Sequence, residues 1–361
     1  MSLDLDTAFQ EFQRILKRHP VLVVGTGASC ALDPGFGMAA LAEELKLKLA
    51  PGAHEGQWEK VLARLHKGQG LEEALDAVVD PGLREDIVTV AGGYVASVDR
   101  DWAWRVATGE MRGPLSDLIG NLVDGLPPSN PVLDVVTPNY DMLIEYTCDA
   151  RGIPWTDGFT TGSVCRWDWD AALDSMRTMA REPRGKRWTD VSRFKAHVRL
   201  HKVHGSISWL RSADNTRLVR SECAAHGFPP TGWRRAMITP GRGKLEEAGM
   251  NRQWFAKADV AIAEAGAFLV VGYGFNDAHI QDGMKKRLFQ DGCSGVVVTR
   301  DWTERIRDLV RDGSDLWAVC QNPAGDKTGS IIVGPGNVDT PLVLPDRPKL
   351  WDIASFADAV M

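Results

Sequence analysis

Hydrophobic residues fall into two kinds of run along the chain. Short apolar runs bounded by Gly, Pro or Asn occur at residues 21–24, 132–137, 198–203, 236–238, 268–271 and 296–299. Such uninterrupted runs are expected of parallel strands whose two faces are both covered by helices. Segments with helical spacing lie between them, at 58–66, 71–79, 83–95 and 115–123, all within a stretch of about 50–128 that is too long for one crossover. The N-terminal residues carry Phe9, Phe12, Ile15 and Leu16 at helical spacing. In the tail, 331–333 and 342–344 are candidate edge strands, interrupted by Gly334, Pro335 and Gly336. This pattern predicts an α/β fold with a doubly wound, mainly parallel sheet and a helical insertion module. The domain division is a core of 1–49 and 129–361, a helical insertion at 50–128, and a second, polar insertion at 151–193.

Composition supports a globular chain. Of its 361 residues, 44% are hydrophobic and 25% charged, and the formal net charge is −6. That balance excludes disorder and lacks the overall basic character of a nucleic-acid binder. One basic stretch runs against it: between residues 181 and 202 lie Arg184, Lys186, Arg187, Arg193, Lys195 and Arg199 around Trp188 and Phe194. It reads as a solvated loop, with contact to a polyanion as the alternative. The six cysteines, Cys30, Cys148, Cys165, Cys223, Cys293 and Cys320, form no C-x-x-C pair. Their spacing argues against a zinc ribbon and a disulfide framework and predicts small buried hydrophobes. No apolar run approaches the roughly 18 residues of a membrane span, and the N-terminus lacks a signal-peptide apolar region, so a cytoplasmic location is expected.

The residues with chemical potential cluster at predicted strand ends, where open α/β sheets bind ligands. The first strand runs into Gly25-Thr26-Gly27-Ala28-Ser29, followed by a helix expected at about 39–49. Glycines there admit a pyrophosphate close to the backbone, although Cys30 stands where a dinucleotide fingerprint has its third glycine. Glu43 and Glu44 are read as helix-surface residues. The second strand ends in Thr137-Pro138-Asn139-Tyr140-Asp141, which serves equally as a plain turn. The third ends near His204-Gly205-Ser206, a histidine placed to titrate near neutrality in a crevice. His197, His201 and His204 would converge on a metal only from a helix, and here they belong to a strand, so no metal site is expected. His279 is given no role. A second glycine turn, Gly272-Tyr273-Gly274-Phe275-Asn276-Asp277, follows the run at 268–271.

Taken in order, Gly-Thr-Gly-Ala-Ser, Thr-x-Asn-x-Asp, His-Gly-Ser and Gly-x-Gly-x-x-Asp resemble the signature of the sirtuin superfamily, with a Rossmann-like core. The Asn-Tyr-Asp and Gly-Tyr-Gly-Phe-x-Asp turns are most similar to those of bacterial sirtuin-like NAD hydrolases of anti-phage defence. The resemblance covers about residues 20–50 and 130–300. It implies NAD as substrate, Asn139 and His204 as the catalytic pair, and Gly25, Thr26, Gly27, Ala28 and Ser29 around the pyrophosphate. It puts Asp141 beside the nicotinamide end, with Gly272, Tyr273, Gly274, Asn276 and Asp277 completing the pocket. It also implies a homo-oligomer and a HerA-type ATPase as partner.

Departures from the family pattern select among its activities. Protein-deacylating sirtuins carry two C-x-x-C pairs for zinc and a Gly-Ile-Pro-x-Phe-Arg segment. This chain has no such pairs, and Gly35-Phe36-Gly37-Met38 follows Leu32-Asp33-Pro34. NAD hydrolysis is therefore the expected activity, with an NAD-dependent deacylase or a non-catalytic NAD or ADP-ribose-binding subunit as alternatives. Cleaving the nicotinamide–ribose bond passes through an oxocarbenium-like state and releases an already cationic ring, so no strong acid is required at the leaving group. Asn139 is expected to position water and His204 to accept a proton. Both are expected in loops past strand ends, where truncation costs little stability.

Overall fold

The computed structural model describes residues 3–49, 54–185, 187–238, 244–311, 313–324, 329–345 and 349–361. Fifteen strands lie among them: β1 Pro20–Val24, β2 Val132–Thr137, β3 Trp155–Thr156, β4 Cys165–Arg166, β5 Arg177–Arg184, β6 Arg187–Phe194, β7 His197–Lys202, β8 Gly205–Ser212, β9 Leu218–Arg220, β10 Trp233–Met237, β11 Ala267–Val271, β12 Ser294–Thr299, β13 Asp315–Gln321, β14 Ser330–Val333 and β15 Leu342–Leu344. Nine form one sheet in the order β15-β14-β13-β12-β11-β1-β2-β7-β3. Every pairing from β13 to β3 is parallel, and β14 and β15 add an antiparallel edge. The doubly wound, mainly parallel α/β sheet expected from the apolar runs is present.

The central strands explain those runs. All five residues of β1 and of β11 are buried, because helices cover both faces. On one face, Phe12 and Ile15 of the helix Leu5–Leu16 pack with Ile119 and Phe356 of the helices Ser116–Asp124 and Ile353–Val360. The other face packs against Trp254, Ala258 and Ile262 of the helix Lys244–Glu264. Since β1 lies between β2 and β11, the chain leaves the sheet centre in both directions, and a crevice opens at the carboxyl ends.

Several elements differ from expectation. The run at 236–238 does not join the parallel sheet: β10 pairs antiparallel with β8 in a second sheet ordered β10-β8-β9-β4. β8 shows only an alternation of Ser with Ile and Trp, yet all eight residues are buried. β13 has Val319 as its single β-branched residue and lacks the Val-rich signal of its neighbours. The basic stretch is no loop, since β5 and β6 form a two-stranded antiparallel ribbon. Lys186, counted within that stretch, lies outside the described residues, as do residues 50–53 at the start of the helical stretch.

Between β1 and β2 the described chain is helical, with Met38–Lys48, Gln57–His66, Leu71–Leu75, Pro81–Ala107 and Ser116–Asp124 as its α-helices after the short Thr26–Cys30. Leu45, Trp58, Val61, Leu83 and Ile87 form a core of their own. Pro81 opens the longest helix, and Asp80 caps it by accepting from Leu83 N at 2.6 Å. Further along, Asp99 is fully buried and accepts from Met142 N (2.8 Å) and the Tyr146 hydroxyl (2.7 Å), so this helix is bonded to the segment after β2. Cys148, Cys165, Cys293 and Cys320 are buried as expected, whereas Cys30 is half-buried and Cys223 is exposed. No helix among the described residues is long and apolar enough to cross a membrane.

Candidate active site

The two glycine turns pack against each other. Gly25 N donates to Val271 O (2.9 Å) and Gly27 N to Gly272 O (2.8 Å), so the exits of β1 and β11 are bonded backbone to backbone. A Cβ on Gly25 would lie 2.5 Å from Tyr273 Cα, and one on Gly27 would lie 2.8 Å from Gly272 O. Gly272 has φ +58°, a left-handed conformation that favours glycine, and its missing side chain would meet the Gly27–Ala28 backbone. These glycines thus serve turn-to-turn contact, and two of the N–H groups expected to face a pyrophosphate are already committed to it. A one-turn helix, Thr26–Cys30, starts here, ahead of the helix expected at 39–49, which spans Met38–Lys48.

At the exit of β2 a chain of polar side chains ties three segments together. Thr137 Oγ1 donates to Val24 O (2.8 Å) and accepts from Asn139 N (3.0 Å), which fixes the turn. The Asn139 amide accepts from Thr26 Oγ1 at 3.3 Å and donates to Ser29 Oγ at 3.1 Å. Ser29 in turn donates to Asp141 Oδ2 at 2.8 Å. Asn139 is only 6% exposed, so its amide is part of a buried network, and the expectation that its truncation costs little stability is corrected.

His204 leaves the end of β7 just before Gly205, whose φ of +81° turns the chain into β8 where any side chain would strike Ala236 O. Its ring is 3% exposed, lies 6.3 Å from the Tyr140 ring, and presents Nε2 2.6 Å from Asp277 Oδ2. His204 stands in the expected turn past β7, but it is packed so tightly that the expected low cost of its truncation is corrected as well. Asp277 comes from the second glycine turn and also caps the helix Ala278–Gln290 by accepting from Ile280 N (3.1 Å). His197 donates through Nδ1 to Lys195 O (2.8 Å), and His201 sits 2.8 Å from Asp134 and stacks on Trp169. These neighbours hold the three histidines apart, and among the described residues no group of His, Cys, Asp and Glu has the arrangement of a metal site. His279 pairs with Asp259 at 2.9 Å.

The carboxyl edge of the sheet encloses a cavity of about 820 Å³, within the range of small-molecule sites. Its walls include Thr26, Gly27, Gly272, Tyr273, Gly274, Asn276 and Asp277. A pocket of about 50 Å³ adjoins it, sharing Thr26, Met38, Glu72 and Pro138, and holds Asn139, Tyr140, Asp141 and His204. The structure therefore brings Thr26, Asn139, Asp141, His204 and Asp277 to one place. Ala28 and Ser29 lie behind the wall, with Ser29 acting through Asn139 and Asp141. The lining residues that sequence reasoning missed include Glu72, Arg300 and Arg305. Glu72 comes from the helix Leu71–Leu75, while Arg300 and Arg305 follow β12 as the cationic side chains of the larger cavity, and Arg305 donates to Asn276 Oδ1. An Arg after an apolar strand end was the available signal for Arg300; Glu72 gave none.

Burial shapes the charges behind this wall. Asp141 is held above the usual carboxylate range by burial, opposed by the Lys202 ammonium and reinforced by Asp99. Lys202 is 1% exposed, donating to Asp141 O and to Glu145 Oε1 at 2.6 Å. Burial pushes Glu145 up to about 7 despite that cation. The Tyr273 hydroxyl is raised by burial and by Asp277, and so stays a neutral donor, to Asp277 O at 3.2 Å.

This geometry has a counterpart among known families. Residues 134–300 match the SIR2-like domain. The SIR2-like segment runs from β2 through the residue after β12 and includes Asn139, Asp141, His204 and the second glycine turn, whereas Gly25–Ser29 precede it. Two similar solved structures are of Sir2 proteins. One, described as a basis for the mechanism and regulation of Sir2 enzymes, is 16% identical with a TM-score of 0.36, covering 83% of this chain and 89% of that one. The other, a mutant Sir2 homologue in complex with ADP-ribose, is 13% identical with a TM-score of 0.39, covering 84% and 87%. No curated protein matches this chain.

Proposed function

We propose that this protein hydrolyses NAD to nicotinamide and ADP-ribose, with Asn139 and His204 as catalytic residues. The observation that carries this reading is the joining of two cavities. A volume suited to a dinucleotide, with Arg300 and Arg305 in its wall, narrows to a small pocket that holds Asn139, Asp141 and His204. The match of residues 134–300 to a SIR2-like domain supports NAD as the substrate class. On this reading Arg305, held by the Asn276 amide oxygen, meets the pyrophosphate, Arg300 is shared with Asp301, and the glycine turns form the floor beneath it.

The chemistry follows from the network. Asn139 is held by Thr26 and Ser29, so its amide orients a water or a ribose hydroxyl with little reorganisation. As the nicotinamide–ribose bond breaks, water attacks the oxocarbenium-like carbon, and its proton passes to His204, whose imidazolium is stabilised by the Asp277 carboxylate. Nicotinamide leaves with the electron pair of the broken bond, and ADP-ribose keeps the water oxygen. The turn motifs further suggest a regulated effector of anti-phage defence, acting in the cytoplasm as a homo-oligomer with a HerA-type ATPase partner. Such a hydrolase must be held at low basal activity to spare the NAD of its own host.

The test is incubation of the purified protein with NAD, alone and with a HerA-type ATPase, following nicotinamide and ADP-ribose by chromatography. Equimolar release that Asn139→Ala abolishes is expected. Binding of ADP-ribose without any turnover would make it a sensor subunit, and acetyl transfer to the ribose would make it a deacylase.

A further inference from the structure

The β5–β6 ribbon lies outside the proposed NAD site and is unlike the rest of the molecule. Among the described residues it pairs only with itself. Its eight-residue strands project over about 26 Å. It leaves the fold at the amino ends of β2 and β7: Lys195 N closes its base on Met176 O (2.9 Å), and His197 N donates to Pro131 O (3.0 Å). The NAD crevice opens at the opposite ends of those strands.

Its chemistry is also distinct. Residues 177–195 carry seven Arg and Lys against Glu182 and Asp190, in a chain whose net charge is −6. The register puts Arg177, Met179 and Arg181 on one face with Phe194, Ser192, Asp190 and Trp188. Trp188 is 62% and Met179 66% exposed, and Arg177 lies over the Phe194 ring at 4.0 Å. A cleft of about 450 Å³ at the foot of the ribbon is lined by Arg177 and Arg193 together with Ser129, Ser192 and Phe194; Arg193 is paired with Glu182 and Arg177 lies 3.3 Å from Asp174, exposed pairs that a phosphate can displace.

Arginines interleaved with exposed aromatic and thioether side chains suit a ligand with regularly spaced anions and apolar faces between them. An unpaired nucleic-acid strand has that alternation, since phosphates meet guanidinium groups while bases stack on aromatic rings. The ribbon contains no Asn or Gln, the side chains that read adenine edges in a duplex groove. That favours sequence-tolerant binding of a single strand over duplex recognition. We propose that the β5–β6 ribbon is a docking arm for single-stranded nucleic acid, with Trp188 as a stacking platform near its tip and the Arg177–Arg193 cleft as a phosphate seat at its foot. The proposal does not rest on the NAD reading.

The test uses the full chain and a fluorescently labelled 20-nucleotide oligo(dT), with binding followed by anisotropy. Engagement of about three phosphates gives a log–log salt slope near −2 for a single strand, or roughly a 15-fold loss of affinity between about 50 and 200 mM salt. Trp188→Ala should weaken binding by about 5- to 100-fold, and Trp188→Phe should recover most of it. The double variant Arg181→Glu, Arg187→Glu should weaken it by at least about 10-fold. Circular dichroism should be unchanged in all three, because these side chains are exposed. No saturable binding at about 50 mM salt, unaltered binding by the ribbon variants, or a duplex of the same length bound as tightly as the single strand would each overturn the proposal.

Discussion

Asp277 Oδ2 lies 2.6 Å from His204 Nε2, joining the second glycine turn to the end of β7 across the sheet edge. Both residues are buried, so the carboxylate fixes the ring and stabilises it once it takes up a proton. Asp277→Asn isolates this role, because asparagine is as good a helix cap as aspartate and the bond from Ile280 N is kept. The variant is expected to keep its melting temperature and lose on the order of 10²-fold in NAD cleavage. Undiminished turnover would show that His204 needs no charged partner.

Asn139→Ala should combine two effects that can be read separately. Loss of the oriented amide should lower NAD cleavage on the order of 10²- to 10⁴-fold. Thr26 Oγ1 and Ser29 Oγ each lose a buried partner, which should also cost about 1–3 kcal/mol of stability. Urea unfolding beside nicotinamide release checks both. A variant as stable as the parent would mean that water or rearranged side chains replace the amide.

Gly25→Ala and Gly272→Ala should fail for the same reason, although 247 residues separate them in the chain. Each adds a methyl group between two backbones that already touch, and at Gly272 the φ of +58° adds strain. Both are expected to weaken ADP-ribose binding in calorimetry and to lower the unfolding midpoint together. Gly274→Ala is the contrast, since the nearest atom to its Cβ is the Asn276 side-chain amide at 3.4 Å. It should retain its stability. Normal ligand binding by Gly25→Ala would contradict a rigid turn-to-turn contact.

The parallel core was legible because strands buried on both faces must be continuously apolar, as β1, β11 and β12 are. Strand ends followed by Gly-x-Gly, Asn-x-Asp and His-Gly pointed to the residues that the structure gathers at one edge. What stayed hidden depends on tertiary partners. Ser206 and Ser208 sit buried in β8 because their hydroxyls lie 3.2 Å apart, which no hydrophobic pattern announces. The β5–β6 ribbon has no buried face to impose an alternation, so its sequence is that of a polar loop. Glu72 reaches the pocket only because helices between β1 and β2 fold back over the crevice.

The buried Lys202–Glu145 pair gives a prediction in pH. Glu145 faces the Lys202 ammonium at 2.6 Å, Asp157 adds negative charge nearby, and burial holds the carboxyl at about 7 in the folded protein against 4.5 when unfolded. The folded state therefore binds this proton more tightly. Its contribution to stability is fully present below about pH 4.5 and is lost as the pH rises through about 7. The loss amounts to no more than about 3 kcal/mol. Glu145→Gln removes the titration while leaving an oxygen to accept from Lys202, so its stability should fall less steeply between pH 5 and 8 than that of the parent. Urea unfolding of both proteins at pH 5, 6, 7 and 8 measures the two slopes. Parallel profiles would mean that Lys202 keeps Glu145 ionised throughout, with the ion pair outweighing the burial of the carboxyl.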